Sequence, residues 1–261
     1  MEELYYLYEY IDVFLIIFAR ILATIMFLPI IEETKIPRIA LAGISIGIAI
    51  ATYFQTDVSL IYYEPTLLSY TILLIREIVV GLIIGFVVKI FFQIYPFVGS
   101  LLSMQGGISM SIVMDPTSGT QSTQIGRLYN LGLGAVFVIS GGYHWLIHTL
   151  VESFELIPIG KGVFGSNLVS GMVETTALYL EIGLKLSMPI VAVILVVDFA
   201  MGILARTVPQ MNMFVIGIPL KMIILFVLLI ITINITSQFN EMIIKELVQT
   251  INHVIQGMRA L

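Results

Sequence analysis

Three residues spaced like metal ligands stand near the middle of the chain: His144, His148 and Glu152 are four apart and share one face of a helix. Against a metal centre, no HExxH pattern occurs. The flanking Trp145, Leu146 and Ile147 suit an amphipathic helix at a membrane interface with its polar edge wet. Serine hydrolysis has no support, because no GxSxG elbow is present and Ser100, Ser103, Ser109 and Ser111 read as small contacts between helices. Gly81 and Gly85 lie inside an apolar stretch and not after a strand, so they form no phosphate cradle. The chain has no cysteine, which excludes disulfides, thiolate catalysis and Cys-ligated zinc or iron–sulfur sites. The sequence predicts no enzyme and no cofactor.

More telling is charge set inside apolar sequence: Arg20, Arg76, Glu77, Lys89, Glu181, Lys185, Asp198 and Lys221. Each, alone in mid-bilayer lipid, would cost about 2.5–3.5 kcal/mol on insertion scales, so most must be paired, reach the interface, or face protein or water. Glu181 and Lys185 are four apart with the acid first, the favourable order for a pair on one helix. At least one of Asp198 and Lys221, which flank the turn before the last apolar run, is expected to be neutralised across a helix contact. Two readings stand for the set: structural pairs and end-of-span anchors, or groups lining an aqueous path or a subunit contact. Small residues add a further pattern, since Gly43 with Gly47 and Gly81 with Gly85 make two GxxxG spacings that let another helix approach, from this chain or from another subunit.

The elements that must carry these groups follow from composition. Of the 261 residues, 59% are apolar and 11% charged, and the mean hydropathy is +1.05; soluble domains run at roughly 45–50% and 25%. An all-α membrane protein is expected, a single polytopic domain over residues 1–261 with no soluble domain. Spans are placed at 13–30, 39–54, 67–95, 97–114, 125–140, 173–200 and 214–236, with Pro29, Pro37, Pro65, Pro96, Pro116, Pro158 and Pro209 marking turns. The first ten residues are acidic and lack the basic start of a cleavable signal, so the first run is expected to be retained. Lys35 and Arg38 in the first connection put the N-terminus outside, and seven crossings put Lys245 and Arg259 inside; a re-entrant pair over 97–140 is the alternative. The net charge of −5 is scattered and leaves no nucleic-acid footprint.

Residues 104–124, MQGGISMSIVMDPTSGTQSTQ, differ in kind from the apolar runs on either side. Asp115, Pro116, Thr117, Ser118 and Gly119 carry turn chemistry, and irregular backbone at membrane depth must be buried in protein or line a wet cavity. Met110 and Met114 suit a deformable seal. An ordinary loop outside the membrane is the other reading of this composition.

The run ARTVPQMNMFVIGIPLK at 205–221 resembles the pattern of the FliR/SctT family of type III export gate components, in which an Arg and PQMN precede a Phe, a Gly and a Pro at the start of the last helix. GGISMSIVMDPTSGTQSTQIGRLYNL is similar to that family's glycine-rich, Asp-Pro-containing loop. GGYHWLIHTLVESFELIP is similar to its Gly-Gly, His, Ser-Phe and Pro segment, although Tyr143 here separates His144 from the glycines. Arg20, Pro29, Pro37 and Arg38 fall where the family has an Arg in its first helix and a Pro-x-x-Pro-Arg-like connection. The resemblance covers nearly the whole chain.

It implies a FliP-like helix set joined to a FliQ-like hairpin, assembled with FliP and FliQ next to FlhB in the flagellar basal body of the bacterial inner membrane. Unfolded flagellar export substrates would pass through the centre of that assembly, driven by proteins other than this one. It also implies a plug at Gly106, Gly107, Met110, Met114, Asp115, Pro116, Thr117, Ser118 and Gly119. Structural or subunit contacts are implied at Pro209, Gln210, Asn212, Gly217 and Pro219. The competing expectation, a small-solute transporter or channel, calls for inverted repeats or paired broken helices, and neither is visible at comparable positions.

Overall fold

The structure, a computed structural model, describes residues 2–28, 37–55, 66–108, 123–208 and 213–259. Among them are eight helices and no strand: α1 Glu2–Met26, α2 Arg38–Gln55, α3 Leu67–Phe92, α4 Ile94–Gln105, α5 Gln124–Ile139, α6 Gly142–Leu156, α7 Ser166–Thr207 and α8 Met213–Gly257. They belong to two compact units. One comprises Met1–Phe91, Val138–Thr176 and Lys245–Leu261, the other Phe92–Phe137 and Ala177–Ile244.

In the first unit, α1 buries Val13, Ile16, Ile17, Arg20, Ile21 and Thr24, the three-and-four spacing of one helix face. Its apolar members pack with Leu41 and Ala49 of α2, Leu150 and Phe154 of α6, and Ile159. Against the same helix lies α3, close enough that a Cβ on Gly81 would stand 2.3 Å from the Arg20 carbonyl oxygen, and one on Gly85 would stand 2.7 Å from Phe27 Cβ. The Thr24 hydroxyl donates to both the Arg20 and Gly81 carbonyls at 3.0 Å, sealing this crossing. By contrast, nothing lies within 4 Å of a Cβ on Gly43 or Gly47. The far end of α8 completes the unit: Leu247, Ile251, Val254 and Ile255 are buried, and the Val163 N–H donates to the Met258 carbonyl at 2.9 Å.

The second unit is built on a second glycine crossing. A Cβ on Gly99 of α4 would fall 2.3 Å from the Gly126 nitrogen of α5, so the two backbones touch directly. Phe92 meets Phe137 edge-to-face at 5.4 Å, and the Tyr95 hydroxyl donates to Asn240 Oδ1 at 2.5 Å, tying α4 to α8.

Seven crossings are not what the described residues contain. Three stretches are long and apolar enough to cross a membrane, namely Leu67–Gln105, Ser166–Thr207 and Val215–Ile233, or four if the bent pair α5 and α6 counts as one. The expected spans 67–95 and 97–114 form one stretch that breaks at Gln93 and ends at Gln105. Pro96 does not end it, because in the first turn of α4 its missing N–H has no intrahelical partner to lose. What stops α4 is the Gly106–Gly107 pair, with Gly107 at φ 81°. The expected span 125–140 bends by 70° into α6 at Gly141, where φ is 75°. At 18 residues, α2 reaches about 27 Å, short of the roughly 30 Å hydrocarbon layer. The last two helices, at 42 and 45 residues, run well past the apolar centres that marked 173–200 and 214–236.

Candidate functional site

The distinctive passage 104–124 is described at its two ends. Met110, Met114, Asp115, Pro116, Thr117, Ser118 and Gly119 lie outside the described residues, as do Pro209, Gln210 and Asn212. At the first end the Gly106 N–H donates to the Leu102 carbonyl at 2.8 Å, and a Cβ on Gly106 would meet Leu225 Cδ2 at 2.3 Å. Gly107 takes the left-handed torsion and faces Ile218. At the second end Thr123 caps α5, its hydroxyl accepting from the Gly126 N–H at 3.3 Å. The Gly99–Gly126 crossing holds α4 and α5 together one to two turns away, so the passage leaves from and returns to helices whose separation is fixed by backbone contact.

Charges in the apolar sequence have partners. Arg20 is fully buried and its guanidinium is saturated: Nε donates to Glu77 Oε2, Nη1 to the Ser153 carbonyl at 3.0 Å, and Nη2 to the Ile157 carbonyl at 3.0 Å. Phe154 lies under it, 4.0 Å from ring centroid to guanidinium carbon. The other oxygen of Glu77 accepts the Gly160 N–H at 2.9 Å, and Arg76 donates to the Gly160 carbonyl at 3.0 Å. Four separate parts of the chain, α1, α3, α6 and the 157–160 connection, therefore meet at one ion pair. Asp198 of α7 pairs with Lys221 of α8, both half-buried. Glu181 and Lys185 pair at 2.5 Å along α7 and stay exposed. Pro219 sits inside α8, and Gly217 lies under the flexible end of Met201. His148 faces Glu152 at 3.5 Å on the exposed side of α6, and no group of three or more metal-ligating side chains occurs among the described residues.

Sequence reasoning named Arg20 and Glu77 separately without joining them, although they are an opposite-sign pair within the first three helices. It passed over Gly99 and Gly126, which carry no GxxxG spacing, and gave Tyr95 and Asn240 no part.

The pattern of the family described as "Bacterial export proteins, family 1" matches residues 11–247. The flagellar biosynthetic protein FliR of Bacillus subtilis is 31% identical over 85% of this chain and 86% of its own length. The Escherichia coli protein of that name is 27% identical over 90% of each chain. The surface presentation of antigens protein SpaR of Shigella sonnei is 28% identical over 82% of this chain and 84% of its own.

Proposed function

The chain belongs to the bacterial export proteins, family 1, and is a membrane component of a protein export apparatus; from that premise we propose that it is a subunit of a flagellar type III export gate. In this reading it forms, with FliP and FliQ and beside FlhB in the inner membrane, the channel for unfolded flagellar subunits, and it performs no catalysis. The observation that carries the multi-subunit reading is the Glu181–Lys185 pair. Both side chains are more than half exposed, at 56% and 63%, on a helix whose most apolar window is only 11% buried. A charged pair standing on such a surface needs protein or water beside it, and an assembly supplies both where lipid cannot. The flagellar assignment is supported by the two FliR relatives.

Co-expression tests this directly. A tagged copy produced with FliP, FliQ and FlhB is expected to bring FliP and FliQ with it through size exclusion in mild detergent; a copy that emerges alone removes the reading's main support.

Residues 104–124 are, in this reading, the obstruction of the resting channel. An open passage wide enough for an unfolded chain would collapse the ion gradient, and Gly107 supplies a left-handed torsion at the point where α4 stops. Deleting 115–120 is expected to leave assembly intact and raise membrane conductance when the complex is overproduced. An assembled deletion complex with wild-type conductance would exclude the plug.

A further inference from the structure

Arg76 is a charge inside apolar sequence that has no counter-charge among the described residues. It lies in Leu67–Gln105, a stretch long and apolar enough to cross a membrane, and unlike its neighbour Glu77 it is exposed. Of its five guanidinium donors only one is used, by Nη1 to the neutral Gly160 carbonyl at 3.0 Å.

The connection that supplies this carbonyl is pinned along α3. Gly160 donates its N–H to Glu77 and accepts from Arg76, and a Cβ on Gly160 would stand 2.4 Å from Leu73 Cδ2. Two residues on, a Cβ on Gly162 would stand 3.1 Å from Val80 Cγ2. Leu73, Arg76, Glu77 and Val80 share one face of α3 at three-and-four spacing, and Lys161, between the two glycines on that face, is exposed. The end of α8 brings in a third cation. The Val163 N–H donates to the Met258 carbonyl at 2.9 Å, so the exposed Arg259 follows that contact directly. Among the described residues no carboxylate pairs with Arg76, Lys161 or Arg259. Glu77, the adjacent acid, has one oxygen on Arg20 and the other on the Gly160 N–H.

Exposed hydrocarbon flanks these cations. Ile72 and Ile75 of α3 are 47% and 54% exposed, and Val163 and Phe164 of the connection are each 43% exposed. Cations with unused donors beside exposed apolar side chains on a membrane-length stretch match the boundary of a bilayer, where phosphates meet acyl chains. An acidic protein segment answers the charge alone, whereas an anionic lipid answers the charge and the apolar flank together.

We infer that Arg76, Lys161 and Arg259 bind the phosphate of an anionic membrane phospholipid, whose acyl chains lie on Ile72, Ile75 and Phe164. The Arg76 guanidinium offers its remaining donors as a planar fork suited to phosphate oxygens, and the other two cations add charge. The lipid thereby ties α3, the 157–165 connection and the end of α8 from outside, where the Arg20–Glu77 pair joins them to α1 from inside. The inference does not depend on the export-gate reading, because this chain alone forms the site.

The test takes the full chain, and separately the co-expressed complex, from vesicles of phosphatidylglycerol and phosphatidylcholine in equal parts into mild detergent, and counts retained lipids by native mass spectrometry. Phosphatidylglycerol is expected on both preparations, favoured by roughly fivefold for each cation that engages it. Lys161→Gln and Arg259→Gln should each cut its retention about fivefold while leaving thermal unfolding in lipid-free detergent unchanged. Arg76→Gln, which keeps an amide donor for the Gly160 carbonyl, should cut it at least as much. Equal retention of the two lipids, or retention of phosphatidylglycerol indifferent to all three substitutions, would overturn the site. Inorganic phosphate that protects the lipid-free chain from unfolding as well as phosphatidylglycerol does would overturn the lipid assignment in favour of a free anion. Retention on the isolated chain that vanishes in the complex would overturn it in favour of an acidic protein segment.

Discussion

Replacing Glu77 by leucine is expected to destabilise the protein by about 3–5 kcal/mol, the cost of leaving one member of a buried ion pair behind. The Arg20 guanidinium would keep its backbone acceptors at Ser153 and Ile157 but hold an uncompensated charge in a site with no exposure to solvent. The Gly160 N–H would lose its acceptor as well, freeing the connection between α6 and α7. Against a total stability of about 5–15 kcal/mol for ordinary domains, that is a large fraction. Replacing both partners, Arg20→Met with Glu77→Leu, is expected to recover much of the loss, because two apolar side chains of similar volume need no counter-charge. Trp145, the single tryptophan, lies on α6 with Ser153 and Phe154, so its fluorescence during thermal unfolding in detergent reports on this place. A Glu77→Leu variant that melts with the wild type, or a double variant worse than the single, would contradict the account.

The two GxxxG spacings should respond in opposite directions to the same small change. Gly81→Ala puts a methyl 2.3 Å from a backbone oxygen of α1, which cannot swing aside as the tip of a side chain can. Separating α1 from α3 to admit it also disturbs the shared Thr24 hydrogen bonds, so a loss of about 1–3 kcal/mol or more is expected. Gly43→Ala on the isolated chain meets open space, and removing a helix-interior glycine there should be neutral or stabilising by up to about 1 kcal/mol. Measured side by side by thermal unfolding, equal shifts for the two variants would show that the α1–α3 crossing is looser than described.

That contrast shows what was legible in the sequence. Helix content and the membrane class follow from composition, and the break at Gly141 falls where the expected span 125–140 ends, whereas the stop at Gly106–Gly107 lies inside the expected span 97–114. Which GxxxG is used was not legible, because the spacing describes a smooth stripe and is silent on what approaches it. Crossing number failed for a related reason. Hydropathy marks apolar runs but does not distinguish a continuous stretch such as Leu67–Gln105 from two spans, nor a 42-residue helix from the apolar centre within it. The Asp198–Lys221 contact joins two consecutive helices and was within reach of sequence reasoning. Arg20 and Glu77 stand 57 residues apart and meet only through tertiary structure. The Gly99–Gly126 contact was invisible, since each glycine is ordinary on its own helix.

The separation between Arg20 and its partners also sets a timetable. Synthesis proceeds at about 5–20 residues per second, so the 57 residues between Arg20 and Glu77 take roughly 3–11 s to appear. The 133 residues to the Ser153 carbonyl take roughly 7–27 s. Throughout that interval α1 exists with a charge whose lone insertion costs about 2.5–3.5 kcal/mol. Its native neighbours on α3 and α6 have not yet been made. The first helix must therefore linger where water or the insertion machinery can shelter the guanidinium, and it commits to its final place only when α3 arrives carrying the counter-charge.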